Sequence, residues 1–512
     1  MDTPHSGTSG TRFESITRCR WSSDRPENRF PIENPATGEV ITIVQGGGEA
    51  EIDAAVRAAH TAYENDWRWR APRERGALLL NCAQTLRIHA DELAWIESLE
   101  VGKPVNQARP FDIENLIWSF EFFGGLCDKL PANLIDLGSI EVAVRLEPYG
   151  VVAGIIPFNW PPIHTGAKAA PALAVGNTIV LKPGEQAPLV IMRIVDLLNE
   201  VLPKDILHVV PGHGPATGKA LVAHPLVRKI SFTGSTNTGI AVLQAAARNV
   251  TPATLELGGK NAFIVFEDAD LELAVAGALE GAYFNQGEAC TAASRLLVHR
   301  SIHDAFVASL SRAVGRLRVG EGTDRSVHVG PLVTRQHQQK VLQYIELGKS
   351  EGATVCAQAP LPADSRLKRG FFVPPTLFSG VSPDMRIAKE EIFGPVSCVI
   401  AFDTFDEALR IANDSDYGLV AGVYTASSEK AQRAARRLDV GVVFINNYNR
   451  AFMGTPFGGT KASGYGREHS LDTLREFGRL KATRTPNGEG AIPHWFAVDE
   501  VLGADRATEL KL

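Results

Sequence analysis

The chain has 512 residues, of which 44% are hydrophobic and 21% are charged, and its formal net charge at pH 7 is −6. This length predicts two large domains with smaller appendages, and the composition is typical of a globular protein rather than a disordered or fibrous one. The acidic balance disfavours a dedicated surface for nucleic acid or for an anionic membrane, because both need a basic patch.

The sequence has no run of the roughly 18 to 20 apolar residues that span a bilayer, and its first residues, MDTPHSGTSGTRFES, lack the apolar core of a signal peptide. Cysteines are scattered along the chain without CxxC pairs or a neighbouring histidine cluster, at Cys19, Cys82, Cys127, Cys290, Cys356 and Cys398. This pattern predicts neither a metal site nor a disulfide framework, and it leaves room for one reactive thiol. We therefore expect a cytoplasmic protein without a metal centre.

The first part of the chain is predicted to be mainly helical. Residues 50–63 (AEIDAAVRAAHTAY) carry apolar residues at helical spacing, and further helices are expected as far as about Lys129. Residues 140–148 (IEVAVRLEP) then alternate between apolar and polar side chains, which is typical of a strand.

From Tyr149 the pattern changes to short β-branched runs, VVAGII, TIVLK, ILHVV and KISF, separated by helical patterns. Strands and helices in alternation predict a parallel sheet wound on both faces. Its predicted last strand is TLEL (254–257), which two glycines end. A second α/β pattern begins with AFIVF (262–266) and continues to about Gly459, whereas the segment from Thr483 is irregular and is expected to be an arm or a tail.

The turn after KISF is a candidate phosphate site, because open parallel sheets bind ligands at the carboxyl ends of their strands. In FTGSTNTG (232–239) the chain passes from strand to helix through Gly234 and Ser235, and backbone N–H groups at a helix start suit a phosphate. A simple serine N-cap would use the same residues, so both interpretations stay open. The turn GHGPATG (212–218) does not have the G-x-G-x-x-G spacing of the usual dinucleotide fingerprint.

KPGE (182–185) leaves the TIVLK strand at the same edge of the predicted sheet. Lys182 could donate to a ribose or phosphate, and Glu185 could accept from both hydroxyls of a ribose. A carboxylate there would repel a 2′-phosphate, which favours NAD over NADP. The alternative is an exposed Lys–Glu pair in a turn.

FNQGEAC (284–290) raises the question of whether Cys290 is a nucleophile or a buried thiol. With an ordinary pKa of about 8.5, a thiol is only slightly ionised at neutral pH, so catalysis needs help from a dipole, base or cofactor charge. Glu256 in LELGGK could be a general base or a salt-bridged residue. Asn159 in PFNWP could donate to an oxyanion or hold a turn between two prolines.

Taken together, these motifs resemble those of the NAD(P)-dependent aldehyde dehydrogenase superfamily. They occur in the family's order and at close to its spacings between about residues 34 and 481, and the combination is far more specific than any one motif. The motifs are PFNWP, KPGEQAP, FTGST, LELGGK, FNQGEAC, EEIFGPV and PFGGTKASGYGRE.

The resemblance implies a Rossmann-like, doubly wound parallel sheet in an NAD domain, a second α/β catalytic domain, and a small β arm for oligomerisation into a homodimer or homotetramer. The predicted bounds are 14–130 and 149–257 for the NAD domain, 258–460 for the catalytic domain, 131–148 and 474–495 for the arm, and 496–512 for a C-terminal tail.

For the reaction, the resemblance implies that Cys290 attacks an aldehyde and that the side-chain amide of Asn159 and the backbone N–H of Cys290 hold the oxyanion. Glu256 would activate the water that releases the carboxylic acid, and Glu468 matches a second carboxylate sometimes proposed to relay protons.

The implied cofactor is NAD, with NADP as an alternative. Lys182 and Glu185 match the adenosine end, Gly234 and Ser235 the pyrophosphate, and Glu391 the nicotinamide ribose. The other matching positions are Ile156, Pro157, Phe158, Gly214, Gly218, Phe232 and Phe393.

Two positions depart from the family's pattern. Glu288, two residues before Cys290, stands where glutamine is common, and its charge would raise the pKa of the thiol if it pointed inward. We expect it to face solvent. His337 stands where a glutamine is common near the adenosine ribose, which leaves that contact open.

Two other functions on the same scaffold are considered. A CoA-acylating enzyme of this family generally lacks the glutamate at the Glu256 position, and a silent binding or structural protein would be expected to lose Cys290, Asn159 or Glu256. For the small-molecule aldehyde itself, Trp160, Phe284 and Phe452 could line an apolar tunnel for aromatic or medium aliphatic substrates.

Overall fold

The structure of the protein is a computed structural model that describes residues 16–130, 132–448, 452–490, 492, 495 and 497–502. Within these residues the strands, in chain order, are β1 (Arg29–Asn34), β2 (Glu39–Gln45), β3 (Asn133–Asp136), β4 (Ile140–Pro148), β5 (Val151–Ile156), β6 (Thr178–Pro183), β7 (Leu207–Val209), β8 (Val227–Thr233), β9 (Ala253–Glu256), β10 (Ala262–Val265), β11 (Arg295–His299), β12 (Thr354–Gln358), β13 (Thr376–Ser379), β14 (Val396–Phe402), β15 (Tyr417–Gly418), β16 (Val420–Tyr424), β17 (Val442–Ile445), β18 (Thr460–Lys461), β19 (Gly464–Tyr465) and β20 (Gly478–Pro486).

The helices of the same residues, in chain order, are α1 (Glu49–Asn65), α2 (Pro72–Ile88), α3 (Ala90–Val101), α4 (Val105–Gln107), α5 (Glu114–Gly124), α6 (Pro161–Val175), α7 (Leu189–Asn199), α8 (Lys219–Ala223), α9 (Thr236–Ala247), α10 (Leu271–Tyr283), α11 (His303–Val314), α12 (Arg335–Ser350), α13 (Arg386–Lys389), α14 (Phe405–Asn413), α15 (Ser428–Arg437), α16 (Thr473–Glu476) and α17 (Ala497–Leu502). None of these helices is both long and apolar enough to cross a bilayer.

A six-stranded sheet has the order β19-β9-β8-β5-β6-β7, in which β5 to β9 are parallel. Its central strands are buried on both faces, which explains why VVAGII and TIVLK are continuous apolar runs without alternation. Helix α6 follows β5 and is buried along its whole length. The short strand β19 pairs antiparallel with β9, so that Gly464 lies opposite Glu256.

A seven-stranded sheet has the order β12-β13-β14-β11-β10-β16-β17 and forms the second α/β unit. Its strands are parallel except β12, which runs antiparallel to β13 at one edge. Apolar side chains pack on both faces of this sheet in two clusters, which include Phe263 and Ile264 from β10. The loop that carries Cys290 lies between α10 and β11, on the side of this unit that meets the six-stranded sheet.

A third, antiparallel sheet of β20, β4 and β3 projects from these two units. Large apolar side chains on it are exposed, among them Leu134, Leu137 and Leu480. The observed sheets confirm the predicted fold class of a doubly wound parallel sheet with a second α/β unit and a small β arm. The domain boundaries stay predictions, and residues 14, 15, 131, 449–451, 491, 493, 494, 496 and 503–512 of the predicted segments lie outside the described residues.

Candidate active site

The candidate site lies at the edge of the six-stranded sheet where the parallel strands end. Asn159 follows β5, Lys182 lies near the end of β6, Gly234 and Ser235 follow β8, and Glu256 is the last residue of β9. Because these strands are parallel neighbours, their carboxyl ends bring all these residues to one edge. The sequence motifs therefore meet there although they are far apart in the chain.

The loop before Cys290 has an unusual backbone. Asn285, Gln286 and Gly287 all have left-handed conformations, with φ of 52°, 56° and 70°. A side chain on Gly287 would collide with the backbone of Gly394, so this position needs glycine for space as well as for conformation. The three residues end α10 abruptly and turn Cys290 towards the junction of the two large sheets.

Side-chain amides fix this loop to the PFNWP segment. Asn285 Nδ2 donates to the carbonyl oxygens of Asn159 (3.0 Å) and Glu288 (2.9 Å). The side-chain amide of Asn159 in turn donates to the Glu288 carbonyl at 3.0 Å. The amide predicted to hold an oxyanion is thus tied to a residue two positions before the predicted nucleophile.

Cys290 is half-buried and lines a cavity, and its carbonyl oxygen accepts from Asn261 Nδ2 at 2.8 Å. Burial raises the pKa of the thiol, and the negative charges of Glu256, Glu391 and Glu468 raise it further. The bond from Asn261, five residues after Glu256, ties Cys290 to the turn that follows β9. At neutral pH the surroundings keep the thiol protonated until a base or a bound cation changes the balance.

Glu256 is 4% exposed, and neither of its carboxylate oxygens has a hydrogen-bond partner among the described residues. Burial raises its pKa well above the ordinary value, and the nearby carboxylate of Glu468 adds to this, whereas Lys168 and Arg467 oppose it. A buried carboxylate without a partner is costly for stability. Such a group is typical of a functional site and can take up a proton at neutral pH.

Glu468 forms a buried ion pair with Lys168, whose Nζ lies 2.9 Å from Glu468 Oε1. Lys168 also donates to Thr233 Oγ1 at 2.7 Å and Ser231 Oγ at 3.3 Å. Burial alone would raise the pKa of Glu468, but Lys168 outweighs it and the pKa is lowered. Sequence analysis did not single out Lys168, although one lysine in the apolar helix α6 was a usable signal.

We refer to the region along the same sheet edge, where the cofactor is expected, as the candidate cofactor cleft. Glu391 Oε1 accepts from the N–H of Gly259 at 2.8 Å, at the turn after β9. Phe393, with a left-handed φ of 61°, packs against Phe158 at a ring distance of 5.9 Å. Ile156 is the last residue of β5, and Pro157 leads from it into Phe158.

At the other end of the cleft, Lys182 is 5% exposed, and burial lowers its pKa to about 8. It is therefore not part of an exposed pair, which was the alternative interpretation of KPGE. Glu185 accepts from the N–H of Gly214 and lies 3.6 Å from His213 Nδ1. A side chain at Gly218 would meet no atom within 4 Å, so the backbone there borders open space.

The turn after β8 has the N-cap geometry considered from the sequence. Ser235 Oγ accepts from the N–H of Thr238 at 3.3 Å at the start of α9. Gly234 has no room for a side chain, since an added Cβ would lie 2.6 Å from the Phe232 ring. Phe232 is buried, whereas Gly234 is partly exposed.

One expectation for an unusual residue, Glu288, is wrong. Glu288 does not face solvent: its side chain is fully buried, and its Oε1 accepts from the N–H of Val333 at 3.1 Å. The left-handed turn before it rotates the side chain inward, which local sequence patterns do not reveal. His337, whose contact was left open, packs against the rings of Phe158 and Phe393.

Trp160, Phe284 and Phe452 line one cavity together with Cys290, as predicted for an apolar tunnel. Sequence analysis missed further lining residues, which occur singly in the chain: Phe111, Ile163, Phe444, Met453 and Phe457. The Phe111 ring lies 5.2 Å from that of Phe284 and 6.4 Å from that of Trp160. The wall beside Cys290 is therefore aromatic.

The fold and site define an α/β enzyme in which a Rossmann-like sheet meets a second α/β unit at a cysteine. A family model for the aldehyde dehydrogenase family matches residues 21–483. The chain is 54% identical over 487 residues to aldehyde dehydrogenase citD of Monascus ruber, covering 95% of this chain and 97% of that protein. It is 50% identical to an aldehyde dehydrogenase of Didymella fabae, covering 94% and 98%.

Among solved structures, PnpE in complex with nicotinamide adenine dinucleotide matches with a TM-score of 0.89 and 39% identity, covering 91% of this chain and 96% of that one. The chain therefore belongs to the aldehyde dehydrogenase family. The predicted family and the predicted activity of an aldehyde-oxidising oxidoreductase are confirmed.

Proposed function

We propose that the protein oxidises an aldehyde to the carboxylic acid with NAD, using Cys290 as the nucleophile and Glu256 as the base that activates water. The observation that carries this proposal is the convergence of three groups. The amide of Asn159 is tied to the loop of Cys290 by a 3.0 Å hydrogen bond, and the turn after Glu256 is tied to Cys290 itself, because Asn261 Nδ2 donates to the Cys290 carbonyl at 2.8 Å. The carboxylate of Glu256 has no hydrogen-bond partner among the described residues, and its charge raises the pKa of the Cys290 thiol.

In the orientation that the family motifs imply, a dinucleotide would lie along the edge of the six-stranded sheet. Lys182 and Glu185 would hold the adenosine ribose, and Glu185 favours NAD over NADP by repelling a 2′-phosphate. The backbone at Gly234 would face the pyrophosphate, while Glu391 and Phe393 would contact the nicotinamide end. The PnpE structure with NAD supports this choice. When bound, the nicotinamide supplies the acceptor for the hydride that leaves the aldehyde carbon.

Cys290 acts in the first step, once its thiol has lost its proton. A bond forms between Sγ and the carbonyl carbon of the aldehyde, and the carbonyl oxygen becomes an oxyanion. Asn159 has two amide N–H groups, of which one donates to the Glu288 carbonyl. We assign the second, together with the backbone N–H of Cys290, to the oxyanion. Loss of one such donor typically costs about 10²- to 10³-fold in rate.

Glu256 acts in the second step, after the carbon has been oxidised to a thioester on Cys290. The carboxylate takes a proton from water as the water oxygen attacks the thioester carbon, and cleavage of the S–C bond releases the acid. Its raised pKa suits this role, because a base is most effective when its pKa lies near the working pH. The presence of Glu256 also favours hydrolysis over transfer of the acyl group to CoA.

The substrate class is supported by the cavity. Its wall around Cys290 consists mainly of apolar and aromatic side chains, including Phe111, Trp160 and Phe284. Flat aromatic aldehydes and medium-length aliphatic aldehydes suit such a wall, whereas a charged semialdehyde would lose hydration and find no lysine or arginine among the described lining residues.

Assembly into a homodimer or homotetramer is supported by the arm of β3, β4 and β20. Leu134 and Leu480 are 69% and 72% exposed on it, which is unusual for large apolar side chains unless a partner covers them. A cytoplasmic location is supported by the six cysteines, all of which are free thiols in the structure.

The test is a kinetic panel with benzaldehyde-type, aliphatic and semialdehyde substrates, each with NAD and with NADP. We expect NADH formation with the first two classes and higher kcat/KM with NAD. Cys290→Ala measured in parallel controls for contaminating dehydrogenases. A preference for semialdehydes would contradict the substrate class, and product capture as a CoA thioester without free acid would contradict hydrolysis.

A further inference from the structure

Glu288 connects two parts of the candidate site that the mechanism uses separately. Its backbone carbonyl accepts from the amides of Asn159 and Asn285, on the side of the oxyanion. Its side chain points the other way and accepts, through Oε1, the N–H of Val333, two residues before α12 begins. The same oxygen lies 3.6 Å from His337 Nε2; the Glu288 side chain is fully buried and that of His337 is 14% exposed.

His337 extends this connection to Phe393. Its Nε2 lies 2.6 Å from the Phe393 carbonyl oxygen. Because Nε2 faces one carbonyl oxygen and one carboxyl oxygen, both acceptors, the imidazole must carry its proton on Nε2. The donated hydrogen bond holds the peptide that follows Phe393, whose left-handed φ of 61° is disfavoured for a bulky residue and needs such support.

We propose that Glu288 and His337 form a positioning pair that fixes the Phe393 loop relative to the Cys290 loop. The inference rests on the proposed function, in which these loops hold the nicotinamide end of the cofactor and the aldehyde carbon. In this proposal, Glu288 and His337 contact neither the cofactor nor the aldehyde, and they act through Phe393 and Asn159. Small errors in the relative placement of two reacting groups are costly, since productive geometry is narrow.

The essential feature of Glu288 is an acceptor at Oε1, whatever its protonation state. Burial raises the pKa of Glu288 to about 8, so the carboxyl is largely protonated at neutral pH. Oε1 accepts from the N–H of Val333, and Oε2 accepts from the side-chain amide of Gln286 at 3.4 Å. Glutamine at this position has the same shape and the same acceptor. Leucine has the shape but no acceptor.

Four variants test the pair: Glu288→Gln, Glu288→Leu, His337→Phe and the double variant with Leu and Phe. We expect Glu288→Gln to stay within about threefold of the wild-type NADH burst rate, because the acceptor is kept. Glu288→Leu and His337→Phe should each lower the burst rate about tenfold, with an unchanged KM for the aldehyde. The double variant should lose little more than either single variant, because both break one connection.

Binding of NAD without aldehyde provides a second readout that does not depend on turnover. By fluorescence titration, Glu288→Leu and His337→Phe should weaken NAD binding to a similar extent, and the double variant no further. Glu100→Leu is the matched control: Glu100 is a buried carboxyl whose oxygens accept from the N–H groups of Leu189 and Val190 at the start of α7. It should lower the melting temperature and leave the burst rate of the folded enzyme unchanged.

Multiplicative losses in the double variant, or a Glu288→Leu variant that loses only thermal stability, would overturn the pair. If Glu288→Leu does not fold, His337→Phe tests the proposal by itself. An unchanged burst rate and an unchanged NAD affinity in His337→Phe would then overturn the proposed positioning pair. A wild-type enzyme that forms no NADH with any aldehyde would instead contradict the proposed function.

Discussion

Lys168 Nζ lies 2.9 Å from Glu468 Oε1, and this buried pair sets the electrostatic surroundings of Glu256. The negative charge of Glu468 raises the pKa of Glu256, while the positive charges of Lys168 and Arg467 lower it. The proposed base is thus balanced between nearby charges of both signs. Removing a nearby negative charge should lower the pKa of Glu256, and removing a nearby positive charge should raise it.

Glu468→Gln should shift the pH dependence of thioester hydrolysis. Removing the like charge lowers the pKa of Glu256, so the ionised base persists to lower pH and the acid limb of the steady-state rate moves down. Arg467→Met removes an opposite charge, which raises the pKa of Glu256 and should shift the acid limb to higher pH. The measurement is the steady-state rate against pH with saturating aldehyde. A lower maximal rate without any shift of the limb would instead indicate that Glu468 carries protons.

Cys290→Ala should abolish aldehyde-dependent NADH formation, because no other described thiol lies in the cavity. The affinity for NAD should stay nearly that of the wild type, since the side chain contributes to the reaction and not to the cleft walls. NADH formation is measured by absorbance, and the affinity for NAD is measured by binding titration. Cys356→Ala, a half-buried thiol elsewhere, is the matched control and should retain full activity. Appreciable turnover by Cys290→Ala would remove Cys290 from its proposed role.

Glu256→Gln should still form the thioester but hydrolyse it slowly. We expect a burst of NADH equal to about one equivalent of active sites, followed by a steady state slower by about 10²- to 10⁴-fold. Rapid-mixing measurement of NADH absorbance separates the two phases. Glutamine keeps the shape of the side chain, so the burst amplitude controls for folding. An unaltered steady-state rate would exclude Glu256 as the base.

The thiol of Cys290 should react with iodoacetamide more slowly than an ordinary thiol at neutral pH, and its rate should still rise with pH above 9. Burial is the main cause of the raised pKa of this thiol, and the charge of Glu256 raises the pKa further. Only a small fraction of the thiol is therefore ionised at neutral pH. Mass spectrometry of the Cys290 peptide measures the rate without NAD. Glu256→Gln should move the profile to lower pH, and an unchanged profile would contradict the electrostatic coupling of the two groups.

Residues at or just beyond the carboxyl ends of the parallel strands could be predicted from the sequence. Parallel strands bring these ends to one edge of the sheet, whatever segments lie between them in the chain. Asn159, Lys182 and Glu256 are of this kind, and the family motifs added Cys290. Side-chain direction was harder to predict. Glu288 was expected to face solvent, but three left-handed residues turn it inward, and no local periodicity reveals that rotation.

Residues that enter the site singly from distant elements were also missed. Phe111 reaches the cavity from the irregular helical segment before α5, and Lys168 reaches Glu468 from the middle of an apolar helix. Each is unremarkable in its own stretch of sequence. Their roles depend on which elements pack together, and this information resides in long-range contacts rather than in local patterns.

The pairing of β19 with β9 has a consequence for how the enzyme is made. Gly464 lies opposite Glu256, and Glu468 follows a few residues later. The strand that ends in the proposed base therefore gains its outer neighbour only when the ribosome has passed residue 465. A nascent or prematurely terminated chain can contain the cysteine, the amide and the nucleotide cleft and still lack a finished place for the hydrolytic step.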